Sequence, residues 1–181
     1  MRVLRNTGDE RPIDALRRLL TGGQGLDLAS SEVSLFAFHE LLDDLGRIDR
    51  TRLVVSADLD LTALLGDAAD RPLRNRLLAP WLAMQCDAWL CDKVDTHCAP
   101  LGVPQGAAIV RRSSGEPQYS LLGAFSLTTT GLGLTPGNPL SLIQCSETAD
   151  EAAAIADWFD TQWKSFADQP DGKQNLLSFC P

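Results

Sequence analysis

Apolar and polar positions recur along this chain with two periods, and those periods mark out its elements. Pro12 is placed to open a helix. Ile13, Leu16, Leu19 and Leu20 then form one apolar stripe, which Gly22-Gly23 end. Leu26 to Ala29 is short and alternating and predicts a strand. Phe38, Leu41, Leu42 and Leu45 recur at the spacing of an amphipathic helix, and Gly46 stops it. Leu53-Val54-Val55 predicts a short buried strand. From about Asp70 the pattern predicts a long helix. Leu78, Leu82, Gln85 and Trp89 mark one side of it, and Leu77, Trp81, Met84 and Ala88 the adjacent one. Pro80 is expected to kink or divide this helix.

In the second half, Val94 to Cys98 predicts a strand and Pro100 to Gly106 a loop. Ala107 to Val110 and Tyr119 to Leu122 flank the polar turn RRSSGEPQ and predict a hairpin. Leu140 to Cys145 predicts a further strand. Thr148 and Glu151 have the spacing of a capping box. Ile155, Phe159, Gln162 and Phe166 then trace one face of a final helix, widened by Trp158 and Trp163. The order is helix, strand, helix, strand, long helix, several strands, helix. It predicts a mixed sheet covered by helices, an α/β (mixed α+β) fold. A single domain over 1–181 is expected, with its core over 13–166 and a C-terminal tail over 167–181.

Composition narrows the setting. A chain of 181 residues suits one domain with a real core. No apolar run approaches the roughly 18–20 residues a membrane span needs, so no membrane partner is expected. The start turns acidic and polar at once, unlike a signal peptide, so a cytoplasmic location is expected, with the five cysteines as thiols. The net charge of −8 argues against strong non-specific DNA binding while leaving room for a local basic patch or a basic protein partner.

Three segments together resemble a known family. LDLASSEVSLFAFHELLDDLGRIDRTRLVVS is similar to the opening of bacterial phospholipase D-like domains, of the group associated with helicases and with restriction and phage-defence systems. DLDLTALLGDAADRPLRNRLLAPWLAMQCDAWLCDKVDTHCAP is similar to that group's long-helix insertion. LLGAFSLTTTGLGLTPGNPLSLIQC resembles its second motif region. The resemblance spans about Ile13 to Phe166 and implies a phospholipase D-like mixed sheet flanked by helices.

The departures from the family pattern bear on activity. Active members use His-x-Lys: the His attacks phosphorus and the Lys stabilises charge on the phosphoryl oxygens. By the resemblance, Gln105 stands where the His would be and Ala107 where the Lys would be. Ala124, Phe125 and Ser126 fall where Ser, Ser and Asn are usual, whereas Thr128 and Gly131-Leu132 keep the pattern. Ser141 lies where an acidic residue is common. The two histidines, His39 and His97, lie outside any His-x-Lys spacing and read as structural. The catalytic motif is therefore degenerate at Gln105, Ala107 and Ser126.

Other clusters carry weaker signals. Cys86, Cys91, His97 and Cys98 lack paired zinc spacing and read as thiols of the fold. Asp58, Asp60, Asp67 and Asp70 read as helix caps and solvated charges before they read as a cation site. No metal and no cofactor is expected. Arg71, Arg74, Arg76, Arg111 and Arg112 are candidate contacts to an anion or a nucleic acid, against the plainer reading of paired or solvated charges. Ser126 and Thr128 join them, since the Thr128–Gly133 segment predicts a turn rich in hydroxyl and amide groups.

The resemblance implies a catalytically inactive subunit for assembly or nucleic-acid positioning in a DNA- or RNA-processing or defence complex. It implies a homo- or hetero-oligomer, a helicase or nuclease partner, and nucleic acid reached through the complex. Two alternatives stand beside it: a phosphodiesterase or nuclease with a site rebuilt around Gln105, Ser126 and Thr128, and a direct nucleic-acid-binding module acting through the arginines.

Overall fold

The structure, a computed structural model, describes residues 1–8, 10–58, 66, 70, 79–169 and 176. Among the described residues, seven strands form one mixed sheet: β1 (Arg2–Leu4), β2 (Gly25–Ser30), β3 (Arg50–Ser56), β4 (Val94–Ala99), β5 (Gly106–Arg111), β6 (Pro117–Gly123) and β7 (Ile143–Cys145). Their spatial order is β1-β7-β6-β5-β2-β3-β4. The β2, β3 and β4 strands run parallel, and the remaining pairs are antiparallel. The helices among the described residues are α1 (Pro12–Leu20), α2 (Leu35–Gly46), α3 (Ala79–Lys93) and α4 (Ala149–Ser165). The expected mixed sheet flanked by helices is therefore what the chain forms.

Strand alternation separates two cores. Leu26, Leu28, Leu53, Val55, Ala108, Val110 and Leu121 face the larger core, with α1, α2 and α3 packed over them. Ala29, Val54, Ala99, Ala107 and Ile109 face the other way, beneath Ala156 and Phe159 of α4. Covering on both faces explains why Leu53-Val54-Val55 is an unbroken apolar run.

The predicted elements appear with adjusted ends. Pro12 opens α1 as expected, and Ser34 and Thr148 cap α2 and α4, accepting from the N–H groups of Phe36 and Glu151. Glu151 reaches back to the N–H of Glu147, one residue before the cap. The strand expected over Leu140 to Cys145 begins only at Ile143. Asn138 holds the preceding residues in a turn: its side-chain oxygen accepts from Leu140 N–H and its carbonyl from Ser141 N–H. The short edge strand β1, not anticipated, pairs with β7 through Arg2, Val3 and Leu4. On α3, Leu82, Cys86 and Trp89 are buried, whereas Trp81 and Met84 on the adjacent side are exposed. Most of the segment between Asp70 and Ala79 lies outside the described residues, so the predicted helix start and Leu77 and Leu78 do too. Among the described residues, no helix is long and apolar enough to cross a membrane.

Candidate functional site

Helix α4 crosses the smaller-core face of the sheet and leaves a depression on each flank. Trp158, Gln162 and Phe166 stand four residues apart on one flank, a spacing that aligns them along a helix. They line a pocket of about 270 Å³ with Ala29, Val54, Ala99, Gly102, Val103 and Gln105. Asp160, Trp163 and Lys164 stand on the other flank. They line a cleft of about 670 Å³ with Asp27, Asp49, Arg50, Arg52, Arg111 and Arg112.

The apolar pocket lies at the end of the sheet that carries the motif positions. Gln105 is exposed at its rim, just before β5, and Ala107 is fully buried on β5 beneath α4. Ala29 of β2 is the register partner of Ala107. The lining has no charged side chain. Nearby, Gly106 sits so close to Phe125 that an added Cβ would overlap the Phe125 carbonyl oxygen. This contact holds the 124–126 turn against the start of β5.

Ser126 and Thr128 follow in a hydroxyl-rich loop. Ser126 and Thr128 share a hydrogen bond of 2.9 Å, Thr128 and Thr130 one of 3.2 Å, and Thr128 accepts from Gly131 N–H at 3.0 Å. Thr129 donates to Asp70. Ser30, at the end of β2, accepts from Leu127 N–H at 2.8 Å. The loop thus lies against the ends of β2 and β5, with both Ser126 and Thr128 about nine-tenths buried. Its hydroxyls serve one another and the turn.

The polar cleft lies at the opposite end of the sheet. Asp27 on β2 is buried, and its two oxygens accept from Arg52 Nε and Nη2 at 2.6 and 2.7 Å and from Arg111 Nε at 2.6 Å. Asp160 of α4 closes the ring, accepting from Arg52 at 2.6 Å and Arg111 at 3.0 Å. Burial would raise the Asp160 pKa, but the hydrogen bonds and charges of Arg52 and Arg111 outweigh it and hold the carboxyl below its ordinary range. Burial would lower the Arg52 pKa, and the carboxylates of Asp27 and Asp160 raise it instead. The Arg52 guanidinium also lies over the Phe159 and Trp163 rings, 5.2 and 5.4 Å from their centroids.

The predicted site residues therefore separate. Gln105, Ala107, Ser126 and Thr128 gather at one end of the sheet. Arg111 and Arg112 stand at the other, where Arg111 is held in the ring and Arg112 is exposed. Arg71, Arg74 and Arg76 lie outside the described residues, as do Asp60 and Asp67. Both histidines pack against tryptophans. His97 on β4 meets the Trp163 ring at 4.0 Å, and His39 of α2 meets Trp81. Of the cysteines, Cys86 and Cys98 are buried in the larger core and Cys91 is exposed. Among the described residues, no three metal-ligating side chains gather. Asp27, Arg52, Asp160 and Lys164 escaped the sequence reading. An aspartate inside the alternating strand Leu26 to Ala29 was the available signal, since such a residue needs a buried partner.

No protein-family model matches the sequence, and no curated protein matches it significantly. Solved structures are similar in fold. TrmBL2, an archaeal chromatin protein whose structure shows a novel mode of DNA binding, matches at a TM-score of 0.51 and 12% identity, over 91% of this chain and 52% of that one. The chain thus spans about half of that relative's length. Nuc from Salmonella typhimurium, a phospholipase D family member, matches at a TM-score of 0.52 and 11% identity, over 94% of this chain and 95% of that one. Identities this low speak to architecture alone, and with Nuc the match is nearly end to end. The fold of this chain is phospholipase D-like, a mixed sheet flanked by helices.

Proposed function

We propose that the chain is a non-hydrolytic phospholipase D-like module that assembles, with itself or a sister subunit, through the motif end of its sheet. The observation that carries this reading is the setting of Gln105 and Ala107. A nucleophile and a cation would be needed there. Instead an amide stands at the rim of an apolar pocket, and a methyl group is buried beneath α4. Exposed apolar side chains stand at several points along the same end of the sheet: Leu101 after β4, Leu140 and Leu142 before β7, and Trp158 on α4. Register places Leu142 beside the start of β7, next to Gly123 and hence Gly106. Leu101 is fully exposed, one residue from the pocket lining. Apolar side chains left in solvent along this end support its use as the assembly surface. The larger assembly is one that processes DNA or RNA, with a helicase or nuclease subunit. A chromatin protein with a described mode of DNA binding is similar in fold over about half its length, which supports that setting.

Two measurements test the reading. The purified chain is offered bis-p-nitrophenyl phosphate and single-stranded DNA, and no turnover above a Ser126→Ala control is expected. Sedimentation is expected to show a dimer or larger species that Leu101→Asp converts to a folded monomer. A wild-type chain that stays monomeric at every concentration, and alone in cell extract, sinks the assembly. A second reading rests on the hydroxyl chain of Ser126, Thr128 and Thr130, which would surround a rebuilt phosphodiesterase site. Turnover that Ser126→Ala abolishes would establish it in place of the first.

A further inference from the structure

We propose that the polar cleft on the other flank of α4 binds the phosphate groups of a nucleotide or nucleic-acid strand, with Arg112, Lys164 and the outer nitrogen of Arg52 as its contacts. The cleft lies at the opposite end of the sheet from the motif positions, so the inference stands apart from the assembly reading.

Charge is the first argument. The chain carries −8 overall, yet five cationic side chains line this cleft against three carboxylates. Asp95, just outside the lining, pairs with Arg50 and leaves the balance positive. Two of the three lining carboxylates, Asp27 and Asp160, are bound in the ring with Arg52 and Arg111, and Asp49 is the third. That ring is neutral and complete in itself. Pinning α4 to the sheet would require nothing more, but Arg112 and Lys164 add two further charges. Neither forms an ion pair among the described residues, and both are exposed.

Preorganisation is the second argument. Asp27 fixes the Arg52 guanidinium through Nε and Nη2, and Nη1 has no hydrogen-bond partner among the described residues. A guanidinium already held in place loses little freedom when it binds an oxyanion. Size and shape are the third. A volume of about 670 Å³ is that of a small-ligand site, roughly 300–1,000 Å³. Trp163 adds an aromatic wall to the cleft, beside the basic groups. A fork of guanidinium groups with an ammonium beside it suits the several oxygens of a phosphate better than a single carboxylate.

The test uses the intact chain, titrated with ATP, with oligo-dT and with inorganic phosphate, at low and raised salt. ATP or oligo-dT is expected to bind, and the affinity to fall as salt rises. An Arg112→Glu/Lys164→Glu double variant is expected to weaken binding by about tenfold or more, because each substitution reverses a contact charge. Arg5→Glu, beside the edge strand β1 and outside the cleft lining, is expected to leave it unchanged. Binding of ATP identifies a nucleotide site, and binding of oligo-dT alone a strand site. Binding of neither, binding of inorganic phosphate only, or binding that survives the double reversal in a folded protein overturns the proposal. Detected hydrolysis at the motif end would overturn the function proposed above and leave this cleft standing.

Discussion

A carboxylate buried in the middle of a sheet is tolerated when its charge is met, and both oxygens of Asp27 are engaged by guanidinium groups. Removing it leaves Arg52 and Arg111, both largely buried, with Asp160 as their only remaining carboxylate among the described residues. Asp27→Ala is expected to cost about 3–5 kcal/mol, as when one partner of a buried pair is lost. Urea unfolding followed by circular dichroism measures this. The neighbouring pair is the contrast: Arg50 and Asp95 meet at 2.7 Å but are 73% and 52% exposed. Arg50→Ala is expected to change stability by about 0.5 kcal/mol or less. Equal effects at the two sites would show that burial is not what gives the ring its strength. The one local sign is Asp27 inside an alternating strand; its partners are not legible locally. Arg111 reads in sequence as one of two adjacent surface cations, and its partners lie 84 and 49 residues away. Charge type is visible in a sequence, whereas long-range pairing is a property of the fold.

At the scale of elements, legibility followed length and periodicity. Helices α1, α2 and α4 show a repeating apolar stripe between recognisable ends, and strands β2 to β6 show clear apolar runs. The three residues of β1 are too few for any period, and their pairing partner β7 stands about 140 residues along the chain. The start of β7 was obscured because Leu140 and Leu142 look like strand residues, while the Asn138 turn takes that stretch out of the sheet. Of the candidate site, Gln105, Ala107, Ser126 and Thr128 lie at one end of the sheet, because the start of β5 and the loop after β6 meet there. The polar cleft did not emerge, since it joins residues from β2, β3, β5 and α4. Helix α4 makes both depressions, so its integrity matters to each. Thr148 accepts from Glu151 N–H at its start, with Asp150 and Glu151 in the first turn and Lys164 in the last, all favourable to the helix dipole. Thr148→Ala is expected to cost about 1 kcal/mol. Thr148→Asp restores a capping oxygen, so its thermal midpoint should return towards that of the parent chain. A deficit in Thr148→Asp as large as in Thr148→Ala would place the effect outside the cap.

For the whole molecule, α4 is the one described helix over the smaller core, and the ring of Asp27, Arg52, Arg111 and Asp160 ties it to three strands. This tie makes stability depend on pH. The Asp160 carboxyl is held below its ordinary value in the folded chain, against burial, by Arg52 and Arg111. The unfolded chain releases that restraint and titrates near the usual value of about 3.9. Between the two values the unfolded state binds more protons, so stability rises with pH across that window. The contribution is fully present above about pH 4 and is lost as pH falls through the lower folded value. Asp160→Asn keeps the shape of the side chain and removes its charge. It is expected to destabilise the chain clearly at neutral pH, and the difference from the parent should shrink as the pH is taken below about 4. Urea unfolding of both proteins at neutral and acid pH reads this directly. A difference of the same size at both would mean that Asp160 acts through packing on the sheet, and that the ion-pair ring does not hold α4 in place.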